Sequence, residues 1–441
     1  MEAVSVLVLT KTNNKKLNLI HRNHGRKFTM KHILFAGTAA AALLSAGAAL
    51  AADGILVGHI ADYTGATSAV GKPYGQGIAD AMNYINAKGG VAGKKIIFET
   101  VDYAYEVPRA MAAYKKLTGS DKATAIQGWG TGDTEALISS VAKDEIPYFS
   151  ASYSGHLTDP QGKTSVKGAP YNFFYGPSYS DACRGLVQWA AEDWKKKGMA
   201  GKPKFVHMGD NHPYPNAPKM ACGAYAKELG FEIGNEIQYS LKPGDFKAQC
   251  LSLKESAAHY AYLGNTSGST ISLLKSCETV GVTTQFLANI WGTDESSLKA
   301  SGEAADKLVW VVGAATWNDD VPGMKLVKEI SKVSDAGGAE ARPVHYIRAV
   351  CSVFYMKEAM EMAAKAGGIT GPNIKKAMES GKKDWVPAGL EGVCLPSTWT
   401  NEDHRGTTTV KVYQAATKGG TIGMKQVYTA EIPRRKEWLG W

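Results

Sequence analysis

From Asp53 onward, short runs of β-branched and apolar residues alternate with longer stretches in which apolar residues recur at helical spacing. Gly54–Ile60 reads as a strand, and past Gly75 the residues Ile78, Ala81, Met82 and Ile85 share one helical face. The run KKIIFETVDY reads as a second strand, followed by a helix with Ala110, Ala113, Tyr114 and Leu117 on one stripe. ATAIQ and IPYFSAS are the next strands, with DTEALISSVAKDE as the helix between them. A second series begins near Tyr179. It opens with a helix carrying Leu186, Trp189, Ala190 and Trp194 and continues through KPKFVHMGD, AHYAYLGN, TQFLAN and LVWVVGAAT as strands. Residues 321–381 read as mostly helical, and LPSTWTNEDHRGTTTVKVYQA reads as strands around a polar turn. Strands alternating with helices imply an α/β fold with parallel sheets covered on both faces. Ligands of such sheets sit outside the C-terminal strand ends.

The first residues follow a different pattern. From Met30, a short basic start leads into a long Ala- and Leu-rich run that closes on Ala49-x-Ala51. That is the layout of a cleavable export signal over 30–51, leaving residues 1–29 as an upstream extension with Met30 as the expected start. A single membrane anchor is the alternative, disfavoured by the Ala-rich run and the cleavage-like end. Residues 1–51 hold seven Lys/Arg and one acid, so six of the nine formal positive charges lie there and the rest of the chain carries about +3. With no basic run beyond Lys195–Lys197, a nucleic-acid partner is not expected.

The chain has 441 residues, 44% of them hydrophobic and 21% charged, enough for two globular lobes. Cys183, Cys222, Cys250, Cys277, Cys351 and Cys394 are an even set in an exported chain, which points to disulfides between sequence neighbours, although six cysteines allow 15 pairings. No Cys/His spacing suits a metal, and no cofactor motif is present.

The segment QGWGTGD, Gln127–Asp133, raises the first question of chemistry. A dinucleotide fingerprint needs a glycine where Asp133 stands, and no Gly-Lys-Ser/Thr follows, so nucleotide binding is not expected. What remains is a strand-to-helix turn that offers backbone N–H groups, the Thr131 hydroxyl and the face of Trp129, with a plain tight turn as the alternative. The next strand end carries Ser152, Tyr153 and Ser154, and two such loops side by side could grip a small anion. No nucleophile and base appear at catalytic spacing, so an enzyme is not expected.

INAKGGVAGKKIIFETVDYAYEVPRAMAAYKKL, the segment LKSCETVGVTTQFLAN and the late GVCLPSTWTNEDH resemble the leucine/isoleucine/valine-binding proteins, the type I periplasmic binding proteins of branched-chain amino acid ABC transporters. The resemblance covers nearly all of 53–441. It implies two Rossmann-like lobes that close like a Venus flytrap, joined by three hinge crossings near 174–178, 314–318 and 400–410. On that reading the N-terminal lobe takes 52–175 with 317–402, and the C-terminal lobe takes 176–316 with 403–441. It further implies a periplasmic monomer that delivers a small molecule to an inner-membrane ABC permease. A ligand-sensing protein serving a membrane receptor is an alternative.

By position, the family's carboxylate grip corresponds to Trp129, Gly130 and Thr131 and to Ser152, Tyr153 and Ser154. In the second lobe, the ligand-facing aromatic corresponds to Thr266, and the acid that pairs with an α-ammonium falls on Ile290 or Trp291. The first acid after these positions is Asp294. A buried ammonium without a counter-charge is costly, so the ligand is expected to be a carboxylate without an α-ammonium, with an aromatic acid as candidate and a branched-chain amino acid as alternative. Tyr63, Tyr105 and Tyr214 are further candidates on loops expected to face the cleft.

Overall fold

The computed structural model describes residues 54–164, 167–420 and 422–441; the expected export signal and upstream extension lie outside the described residues. The first sheet is parallel throughout, in the order β2-β1-β3-β4-β5, built from β1 (Ile55–Ala61), β2 (Ile96–Asp102), β3 (Ala125–Gly128), β4 (Tyr148–Ser150) and β5 (Asn172–Phe174). β1, β3, β4 and β5 are buried almost throughout under covering helices, while the edge strand β2 is partly exposed. In the helix Ser68–Ala87, the face formed by Ile78, Ala81, Met82 and Ile85 is buried. That helix packs closely on Val344–Lys365, and Gly77 makes the approach possible: a Cβ there would lie 2.5 Å from the Tyr346 carbonyl oxygen. Beside it, the Tyr346 and Ser334 hydroxyls each donate to Asp80 Oδ2 at 2.7 Å. A chain segment from beyond residue 320 thereby completes the first lobe.

The second sheet contains β6 (Lys204–Gly209), β7 (Glu232–Ile233), β8 (Ile237–Gln238), β9 (Tyr260–Leu263), β10 (Gln285–Ala288) and β11 (Val309–Val312), all pairing in parallel. β12 (Thr398–Thr400) and β13 (Asp403–Gly406) form a separate hairpin around the expected polar turn. β14 (Thr409–Ala416) and β15 (Gly423–Glu431) then extend the second sheet in antiparallel fashion beyond β11. The chain leaves the first sheet after Phe174, leaves the second after Val312 and re-enters it at Thr409, which makes three crossings.

β13 packs beside β5 and the turn Gly155–Thr158. His404 fixes it there, with Nδ1 2.9 Å from the Asn172 carbonyl oxygen and Nε2 2.9 Å from Glu379 Oε1. The last crossing therefore falls between Gly406 and Thr409, a few residues beyond the expected edge at 402. The chain end also returns to the first lobe, where Gly440 N donates to Thr158 Oγ1 at 2.9 Å.

The six cysteines pair in sequence order, Cys183–Cys222, Cys250–Cys277 and Cys351–Cys394. The third joins the long helix Val344–Lys365 to the segment leading into the hairpin, closing 43 residues of sequence separation. Among the described residues no helix is long and apolar enough to cross a membrane. Cross-linking a loop of this length restricts the unfolded chain, so replacing Cys351 and Cys394 together by alanine should lower the unfolding free energy by about 2–4 kcal/mol. Urea denaturation of the two oxidised proteins, compared at one pH, checks this.

Candidate functional site

Two helix starts meet across the cleft. β3 ends at Gly128, the chain turns extended through Gly130 (φ −81°, ψ 167°), and the helix Thr131–Asp144 begins with no side chain capping it. The second lobe repeats the arrangement. β9 leads to Thr266 (φ −78°, ψ 167°), which precedes the uncapped helix Ser267–Thr279. Uncapped first turns leave backbone N–H groups without intrahelical partners and carry the positive end of the helix dipole. The Thr266 hydroxyl is buried and has no hydrogen-bond partner.

Gly130, Thr131 and Thr266 line one pocket with the aromatic residues Trp129, Tyr105, Tyr179, Tyr214 and Trp291, and with Thr67 and Ala151. The pocket is drawn tight around its own aromatic rings, with little room left for even a water among them.

Each wall residue is held by a specific contact. Trp129 Nε1 donates to Thr67 Oγ1 at 2.8 Å, and that hydroxyl donates onward to Asp62 Oδ2 at 2.6 Å. The indole is thus tied to the loop after β1. In the second lobe, Asn289 Oδ1 accepts from the Tyr214 hydroxyl and from the Trp291 amide, both at 2.8 Å. One amide therefore sets two walls. Tyr105 lies stacked on His212, with centroids 5.0 Å apart, and its backbone and that of Ala104 are left-handed at φ 62° and 52°. Non-glycine residues held there carry strain that the surroundings must over-determine, as at ligand-facing turns.

The remaining sequence-expected residues separate into those behind the wall and those away from it. Ser152 lies behind, its hydroxyl 2.8 Å from Thr131 Oγ1, in a ladder that continues through Ser150 to Thr134. Tyr153 is buried among Phe174, Tyr179 and Trp291, with ring centroids 5.4–5.8 Å apart. Ser154 does not line the pocket: its hydroxyl donates to Glu135 Oε1 at 2.6 Å and accepts from the His156 amide. Tyr63 does not line it either, because its ring packs against Gly75 and its amide bonds Asp102. The half-turn after β4 directs Ser154 outward, which the alternation of small residues did not reveal.

Sequence reasoning missed Thr67, Ala151 and Tyr179 in the wall, and Tyr74, His345 and Arg348 around Trp291. The last three sit on long helices with apolar periodicity and read there as ordinary core. Among the described residues no acidic side chain lines the pocket. Asp294 is used elsewhere: its Oδ1 accepts from Ser297 N at 2.7 Å, capping the helix Glu295–Ser301. Its other oxygen lies 3.3 Å from His345 Nε2 without hydrogen-bond geometry. Burial and the adjacent Arg348 push the His345 pKa well down, so the contact is not a pairing of full charges.

A profile of the periplasmic binding protein family matches residues 54–421. The chain belongs to that family. Among its relatives is an amino acid binding protein of Pseudomonas aeruginosa, 27% identical over 349 residues, an alignment covering 76% of this chain and 87% of the relative. An ABC transporter substrate binding protein from Aeropyrum pernix superimposes with a TM-score of 0.76 at 27% identity, covering 87% of this chain and 97% of that one. A branched-chain amino acid ABC transporter protein from Thermus thermophilus, solved with valine, superimposes at 0.74 with 20% identity, covering 85% and 96%. As a periplasmic binding protein, this chain falls in a family of exported, non-enzymatic components that bind small molecules and interact with an ABC permease.

One acid of this periplasmic binding protein lies just below the pocket floor. Burial pushes the Asp133 carboxyl from 3.8 up to about 7, against the hydrogen bond it accepts from the Tyr103 hydroxyl at 2.8 Å. Its second oxygen is buried without a partner. The folded state therefore holds this proton more tightly than the unfolded chain. Its contribution is neutral below about pH 4, becomes increasingly unfavourable between pH 4 and 7, and is constant above that. Asp133→Asn, which keeps an acceptor for Tyr103, should exceed the native protein in stability by about 2–4 kcal/mol at pH 8, with the gap closing toward pH 4. Denaturant unfolding of both proteins from pH 4 to 8 reads this out.

Proposed function

We propose that this chain is the solute-binding component of an ABC importer for a small carboxylate without an α-ammonium, with an aromatic acid as the ligand class. The observation that carries the reading is the pocket wall: five aromatic side chains, donors at two uncapped helix starts, and no carboxylate. Rings of this kind offer stacking and edge-to-face contacts to a planar ligand. An ammonium closed into the same space would be desolvated without a counter-charge. Gly130, Thr131 and Thr266 hydrogen-bond the ligand's polar groups, while Trp129, Trp291, Tyr105 and Tyr214 enclose its body. Ser152 and Tyr153 support Thr131 and Trp291 from behind. The lobes, one built around each sheet, hinge at the three crossings, and the closed monomer is recognised by the permease. Closure shifts a population between open and closed forms, and no bond is made or broken.

Uptake of a branched-chain or other amino acid is the second reading, favoured by the amino acid binding protein of Pseudomonas aeruginosa and the valine complex from Thermus thermophilus. Thermal unfolding separates the two. At a ligand concentration 100 times its dissociation constant, binding adds about 2.7 kcal/mol. Benzoate- or cinnamate-like acids should raise Tm by several degrees, with leucine and valine near zero. Stabilisation by leucine or valine alone overturns the aromatic-acid reading.

A further inference from the structure

Arg348, on the helix Val344–Lys365, is fully buried, and no carboxylate bonds it. Its Nη1 donates to the Ile290 carbonyl at 2.9 Å and lies 3.1 Å from His345 Nδ1, while Nε and Nη2 have no partner. The other buried guanidiniums are paired with acids, Arg184 with Asp181 at 2.8 Å and Arg405 with Asp403 at 2.7 Å. Leaving a buried cation without its anion costs several kcal/mol. The exception thus needs a reason.

The pattern of used and unused donors supplies one. Nε–H and the neighbouring Nη2–H run parallel along one side of the guanidinium, the side that holds a carboxylate through two hydrogen bonds. In Arg348 neither donor of that side makes a hydrogen bond of good geometry, while the other end is pinned. The planar face lies on the Trp291 ring at 3.7 Å and near Tyr153 at 4.9 Å. The buried Tyr153 hydroxyl lies near the guanidinium and the buried Tyr74 hydroxyl near Ser352, neither in a hydrogen bond of full geometry. Gly313 keeps the same side clear, since a Cβ there would lie 3.2 Å from Nε. Trp291 and Ile290 belong to the second lobe, so lobe separation withdraws both and presents the guanidinium to the cleft.

We infer that Arg348 is the charge partner of the ligand, its Nε–Nη2 side taking the carboxylate while the ligand's ring lies among Trp291, Trp129 and Tyr153. This rests on the reading of the ligand as a carboxylate and adds where the charge goes. The helix starts at Thr131 and Thr266 then serve the ligand's other polar groups.

Calorimetric titration of the full mature protein with benzoate, benzamide and leucine tests it, using the native chain, Arg348→Gln, Arg348→Lys and Thr131→Val. Breaking a buried charge pair should weaken benzoate about 100-fold in Arg348→Gln, leave benzamide within about threefold, and be partly rescued in Arg348→Lys. Should Arg348→Gln fail to fold, Gly313→Ala crowds Nε and should cut the benzoate affinity by about tenfold while sparing benzamide. Native binding of benzoate that survives Arg348→Gln, or survives Gly313→Ala where that variant stands in, overturns the inference and leaves the aromatic-acid reading standing. Loss in Thr131→Val alone does the same, placing the carboxylate at the helix start. A native protein that binds leucine but not benzoate, or neither, overturns both.

Discussion

The indole of Trp291 is the part of the second lobe around which the cleft is organised. It lies 5.1–5.7 Å, centroid to centroid, from Trp129, Tyr74 and Tyr153 of the first lobe, and Arg348 covers its face at 3.7 Å. Edge-to-face and tilted ring pairs of this kind are directional, so a small rotation of either lobe disturbs several at once. The contact between the two lobes is therefore centred on one side chain. The Ile290 carbonyl bound by Arg348 adds a polar contact one residue away, so cation, indole and backbone are engaged or released together.

Around that centre, hydrogen bonds make rigid what a loop would leave loose. Thr67 and Asp62 hold Trp129 from one strand end, and Asn289 holds Tyr214 and Trp291 from another. All these groups stand near the C-terminal ends of parallel strands, where helices begin without side-chain caps. Topology gathers donors there, and side chains supply the walls. The division follows from parallel strand order, which places successive strand-to-helix turns side by side.

The pocket also concentrates costs that core packing alone would avoid. Asp133 and Arg348 are buried with unpaired polar atoms, Thr266 has a hydroxyl without a partner, and Ala104–Tyr105 has a strained backbone. Buried polar atoms without partners are few in native proteins and call for an explanation each. Others are spread through both lobes, and those at the pocket are consistent with a site shaped for a ligand rather than for maximal stability. The hairpin β12–β13 and the three disulfides are structural devices away from the aromatic wall.

Much of this was legible along the chain. Alternation of apolar strand runs and helical runs determined two sheets with parallel strands, though not the antiparallel β14 and β15 at the edge of the second, and the small residues at the end of β3 marked Trp129, Gly130 and Thr131 as pocket residues because strand ends are where such sheets expose backbone. The family resemblance pointed to Thr266 and Trp291, and loop position to Tyr105 and Tyr214, which also line the pocket. Arg348, Tyr74 and Tyr179 did not, since a residue inside a regular helix carries no local sign of what lies opposite it. Ser154 and Tyr63 erred the other way: their loops look like cleft loops, yet Glu135 and Gly75 draw them off. Local patterning thus determined the elements and their exposed ends. Only the tertiary structure decided which rings meet and which charge is left unpaired, because Arg348–Ile290 and Trp291–Tyr153 join residues far apart in sequence, through a lobe arrangement that no periodicity encodes.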